Sequence, residues 1–113
     1  MEFNELTYAC ALNRIFINNT QLAKSIAEYF PYPSELFNTS EENLREIFHS
    51  NERYISAIKD KKILEECSRE VSWCRNNNIR IVYYHDPDYP RRLKECPDAP
   101  ALLFIKGEIS LDN

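Results

Sequence analysis

Between Asn4 and Phe16, Leu6, Cys10 and Ile15 fall near helical spacing, while Tyr8, Ala9 and Ala11 blur the stripe, so a moderately buried helix is predicted there. Asn18-Asn19-Thr20 breaks the run. Thr20 is expected to cap a second helix by accepting a hydrogen bond from a free backbone N–H, with Leu22, Ile26, Ala27 and Phe30 as its apolar stripe. Pro31 and Pro33 stop that helix, because proline pushes the residue before it out of helical geometry. A short helical turn follows over Ser34 to Phe37. Thr39-Ser40-Glu41-Glu42 then reads as a capping box opening a helix with Leu44, Ile47 and Phe48 inward. After a break at His49-Ser50-Asn51, the pattern is helical from Glu52 to Asn76, with an interruption at Asp60-Lys61-Lys62. Ile63, Cys67, Val71 and Cys74 line up at i, i+4, i+8 and i+11, which predicts the longest helix of the chain.

The texture changes at Asn76-Asn77-Asn78. Ile79 to Tyr84 is rich in branched and aromatic residues and predicts a strand, and His85-Asp86-Pro87-Asp88-Tyr89 predicts a turn. Pro90 suits the first position of a short helix running through Cys96, and a second strand is expected from Ala101 to Lys106. The organisation expected is a mainly α amino-terminal domain over residues 1–77, followed at 78–113 by the first β-α-β elements of an incomplete α/β domain. Two strands and one short helix do not make an independent sheet. The expectation is therefore that they belong to a larger parallel sheet whose other strands lie beyond Asn113; pairing with another molecule, or lying back on the helices, are the alternatives.

Composition narrows the chemistry. A net charge of −4 and a pI of about 5.2 speak against tight autonomous binding to a phosphate backbone. A single glycine, Gly107, excludes a glycine-rich phosphate loop. Cys10, Cys67, Cys74 and Cys96 lack the close paired spacing of a zinc site, and Cys67 and Cys74 share one face of a helix, as buried thiols do. No apolar run approaches the roughly 20 residues a membrane helix needs, and Met1-Glu2-Phe3-Asn4-Glu5 lacks a signal peptide's basic start, so a cytoplasmic location without membrane contact is expected. With neither a nucleophile–base pair nor metal ligands in view, no enzyme activity, cofactor or metal is expected.

The run Asp86-Pro87-Asp88-Tyr89-Pro90-Arg91-Arg92-Leu93, followed by Pro97, Pro100 and Leu103-Phe104-Ile105-Lys106-Gly107, resembles the entry segment of the DNA processing protein A (DprA or Smf) family. Asn78-Ile79-Arg80-Ile81 is similar to the strand that closes the family's amino-terminal helical domain, and the preceding helices match that domain in order and rough length. The resemblance implies a sterile-alpha-motif-like or helix-hairpin-helix-like domain leading into a Rossmann-like domain. It also implies a non-enzymatic protein that binds and protects single-stranded DNA and helps load the RecA recombinase in natural transformation. The family's main DNA-binding motif follows the strand matching Ala101 to Gly107 and has no counterpart here, so these residues are expected to act as an accessory or interaction module with an unidentified protein partner. A free-standing helical interaction module without a DNA role is the competing reading, and a small metal-dependent hydrolase a third.

Within the chain, the candidate nucleic-acid contacts are Asn18, Asn19, Thr20 and Lys24, at the start of the second helix, and Arg91 and Arg92, with Lys94 beside them. The hairpin between the first helices has no glycine, although asparagine tolerates the left-handed backbone such a hairpin needs. The plainer readings are an ordinary interhelical turn and solvated helix faces, the latter also for Lys59, Lys61 and Lys62. His85, Asp86 and Asp88 form the one cluster resembling a metal or acid–base site, against a proline-framed turn. Tyr83, Tyr84 and Tyr89 are candidates for stacking on bases, against strand packing.

Overall fold

In a computed structural model the described residues are 3–107; residues 1–2 and 108–113, which complete the two expected regions, lie outside them. The chain forms α1 (Phe3–Ile15), α2 (Thr20–Tyr29), α3 (Ser34–Phe37), α4 (Glu41–Ile47), α5 (Glu52–Ile58), α6 (Lys61–Asn76), β1 (Ile79–Tyr83), α7 (Arg91–Lys94) and β2 (Leu102–Lys106). Among the described residues it is mainly helical with one small two-stranded sheet.

The blurred pattern of the first helix has a simple cause. Ala9, Cys10, Ala11, Leu12 and Phe16 are all buried, because α1 meets α3, α5, α6, β1 and β2. A helix covered on several sides carries no single apolar stripe. Its most extensive partner is α6, which turns Cys67, Val71 and Cys74 inward. Arg14 reaches from α1 to α6, donating to Glu66 and Glu70 at 2.7 Å each.

The helix ends show how local chemistry sets the boundaries. Asn19, not Thr20, caps α2, its side-chain oxygen accepting from Leu22 N–H at 3.1 Å. Asparagine is the stronger cap of the two, and Thr20 becomes the first helical residue. The expected capping box is likewise shifted by one: Ser40 caps α4 alone, accepting from Asn43 N–H, while the Thr39 hydroxyl donates back to the Glu35 carbonyl. This places Asn43 rather than a glutamate at the third helical position, so the reciprocal half of the box is missing. Ile47, expected inward, is 40% exposed, since α4 buries Leu44 and, one full turn on, Phe48. Pro33 gives α3 no side-chain cap, and Glu5 of α1 fills that role by accepting from the Ser34 N–H and hydroxyl. Asp60 interrupts the long helical pattern as expected, capping α6 through Lys62 N–H.

Two breaks require the left-handed backbone. After α4, His49 (φ 51°) and Ser50 (φ 61°) let Ser50 N–H reach back to the Arg45 carbonyl at 2.8 Å, closing the helix in the left-handed region without glycine. After α6, Asn78 (φ 56°) redirects the chain into β1.

The sheet departs from expectation. β1 and β2 pair antiparallel, with Ile81 opposite Phe104 at the centre of the register. The 18 residues between the strands, 84–101, are long enough for a parallel crossover, but they fold back on themselves so that β2 starts beside the end of β1. The pairing is extended at both ends by Tyr84 N–H to the Ala101 carbonyl and Gly107 N–H to the Asn78 carbonyl. The hairpin lies back on the helices: β1 packs on α6 and α1, and Val82, Tyr83 and Leu102 belong to the same buried cluster as Leu12, Cys67 and Val71. The Tyr83 hydroxyl, fully buried, donates to the Phe30 carbonyl at the end of α2 at 2.8 Å. Among the described residues no helix is long and apolar enough to cross a membrane.

Candidate nucleic-acid interface

The turn between β1 and α7 is built on Asp86. Its carboxylate accepts from Tyr83 N–H at 2.9 Å, while its own N–H donates to the Tyr83 carbonyl and its carbonyl accepts from Tyr89 N–H. The chain is thereby folded so that Tyr89 enters the core and its hydroxyl donates to the Pro100 carbonyl, closing the loop in front of β2. Burial pushes the Tyr89 phenol up to about 12, with Tyr84 and Cys96 adding to the shift, and burial likewise raises Tyr83 and Tyr84.

Against this turn lies α2. The His85 ring nitrogen Nε2 meets the Ala27 carbonyl and so carries the proton of that bond. The Tyr84 hydroxyl reaches Glu28 at 3.3 Å, and the Lys94 ammonium sits 4.7 Å from the centre of the Tyr84 ring, within range for a cation–π contact. Lys24 donates to the Cys96 carbonyl at 2.9 Å and lies 3.6 Å from Glu28. These contacts bring the two candidate regions together, through Lys24 at one end and Cys96, two residues past α7, at the other.

The candidates themselves fare differently. Asn18 is exposed in the turn after α1, Asn19 is occupied as the α2 cap, and Thr20 is exposed at the first helical position. Lys24 is a brace between α2 and the end of α7, its side chain only 16% exposed. Arg91 and Arg92 are exposed and make no ion pair with the described residues. His85, Asp86 and Asp88 do not converge: the first faces α2, the second holds the turn, and the third lies 3.9 Å from Arg80. Among the described residues no group of three His, Cys, Asp or Glu side chains is placed to hold a metal ion. Tyr83, Tyr84 and Tyr89 are buried and offer no face to a base. Tyr29, Tyr32 and Trp73 are the exposed aromatics of the helices and the turn after α2. For Trp73 the signal was in the sequence, since it falls off the Ile63–Cys67–Val71–Cys74 stripe.

Residues 80–113 match the family model of DNA recombination-mediator protein A. The match begins inside β1 and takes in the Asp86 turn, α7 and β2, but not α2; it spans less than half of the chain. No curated protein and no solved structure gives a significant match to the chain. The segment similar to DNA recombination-mediator protein A is also where Arg91 and Arg92 lie.

Proposed function

We propose that this chain serves in the DNA processing that accompanies recombination, as part of a protein that holds single-stranded DNA and helps load RecA in natural transformation. The match of residues 80–113 to DNA recombination-mediator protein A is the observation that carries this reading. The packing of the hairpin onto α1, α2 and α6 supports a further step: the helices act as an accessory module that fixes the matching segment and offers a surface to a protein partner. The proposal includes no catalysis. A Rossmann-like continuation of the sheet belongs to it as well, since each strand of the hairpin has one edge without a strand partner among the described residues.

The test is a titration of the chain against a labelled single-stranded oligonucleotide at low and moderate salt. Binding that weakens with salt is expected, because phosphate contacts release counterions. Absence of binding up to about 0.1 mM protein, the weak end of non-specific affinity, would remove the DNA contact and leave the competing reading, a helical interaction module. The net charge of −4 is the observation that favours that second reading.

A further inference from the structure

The described basic side chains divide into those already engaged and those that are free. Arg14 is held by Glu66 and Glu70, Arg45 by Glu41 and Glu52, and Lys59 by the Phe37 and Thr39 carbonyls. Lys24 is bound to the Cys96 carbonyl, Arg80 faces Asp88, and Lys94 covers the Tyr84 ring. Arg53, Arg69 and Lys106 are exposed singly without an ion pair among the described residues, and two pairs of neighbouring cations are as well: Lys61–Lys62 at the start of α6 and Arg91–Arg92 on α7.

The pairs are not equivalent. Guanidinium presents a planar fork of N–H donors and holds less tightly to water than ammonium, which suits it to phosphate oxygens. α7 is closed by its own bonds, Lys94 N–H to the Pro90 carbonyl and Cys96 N–H to the Leu93 carbonyl, and is flanked by two anchors, the buried Tyr89 before it and the Cys96 carbonyl, gripped by Lys24 of α2, after it. Two long side chains on an anchored turn lose less freedom on binding than two on a free one. Glu95 lies one turn beyond Arg91, yet it pairs with neither arginine. Arg91 and Arg92 also fall inside the matched segment, whereas Lys61 and Lys62 do not.

We propose that Arg91 and Arg92 are the phosphate contacts of this chain, gripping the backbone of single-stranded DNA, and that Lys24 and the Asn18–Thr20 turn hold the structure without touching the nucleic acid. This assignment rests on the single-stranded DNA reading above. Two phosphates neutralised on a single strand give a slope near −1.4 for log affinity against log salt, so affinity falls about sevenfold from about 50 to about 200 mM salt.

The experiment is fluorescence anisotropy of a labelled oligothymidylate with the whole chain over that salt range, for the parent and the double variants R91A/R92A, R91K/R92K and K61A/K62A. Melting temperatures of all four confirm that the exposed substitutions leave the fold intact. The proposal expects R91A/R92A to abolish the salt-dependent binding and R91K/R92K to restore part of it. K61A/K62A, which removes the same charge elsewhere, should keep both affinity and slope. If the parent binds but R91A/R92A binds equally well, or if the parent's slope is as steep as five or more contacts require, the arginine assignment fails while the single-stranded DNA reading stands. If the parent does not bind, both fall together.

Discussion

Replacing Tyr83 with phenylalanine isolates one bond on which the union of hairpin and helices depends. The ring is fully buried and would stay in place, so the change removes only the hydroxyl that donates to the Phe30 carbonyl at 2.8 Å. That carbonyl then lacks its buried donor, a loss of about 1–2 kcal/mol. Unfolding entropy of about 2.1 cal/mol/K per residue, taken over the whole chain, converts this into a fall of about 4–8 °C in melting temperature. Tyr84→Phe is the matched control: its hydroxyl contacts are 3.3 and 3.5 Å long, and its loss should cost about 0.5 kcal/mol or less. Thermal melts by circular dichroism, together with urea curves of unchanged slope, would measure both. A Tyr83→Phe protein melting within a degree of the parent would refute the seating of β1 against the end of α2, and with it the account of how the hairpin is held.

Three further outcomes are expected. His49→Gly should stabilise the chain by about 0.5–1 kcal/mol in urea unfolding, since glycine relieves the left-handed strain at φ 51° at some cost in unfolded-state entropy. A thiol reagent should modify Cys96 rapidly in the native protein and reach Cys10, Cys67 and Cys74 only in denaturant, because burial hides those three and pushes their thiols up. In alkali, stability should be complete below pH 10, the ordinary tyrosine value, and fall as pH climbs toward about 12, because the folded state holds the Tyr89 proton more tightly than the unfolded chain does. Melting temperatures followed alongside tyrosinate absorbance test this, and a flat or rising profile across that window would contradict it.

Much of the helical part was readable in the residues. The stripe of α2, the Asp60 interruption and the inward line of Cys67, Val71 and Cys74 follow from period and punctuation alone. The slips at Thr20 and in the Thr39–Glu42 box are one-residue errors of cap choice, where two adjacent residues both qualify and the backbone selects one. Strand direction was a different kind of miss. β1 and β2 show the same composition whether parallel or antiparallel, and the 18 residues between them are long enough for either, so the direction is set by how that connection folds. At the candidate site, the sequence nominated both Lys24 and the arginine pair but could not separate them, because engagement with a carbonyl 72 residues away leaves no local trace.

The central position of α1 bears on how the molecule is made. Its partners α6, β1 and β2 lie far along the chain, so in a nascent polypeptide leaving the ribosome α1 has only α3 and α5 to pack against until α6 and the hairpin emerge. Stalled synthesis anywhere before Leu102 would leave α1 short of the part of its cover that β2 supplies. Such truncated products are natural clients for chaperones and proteases.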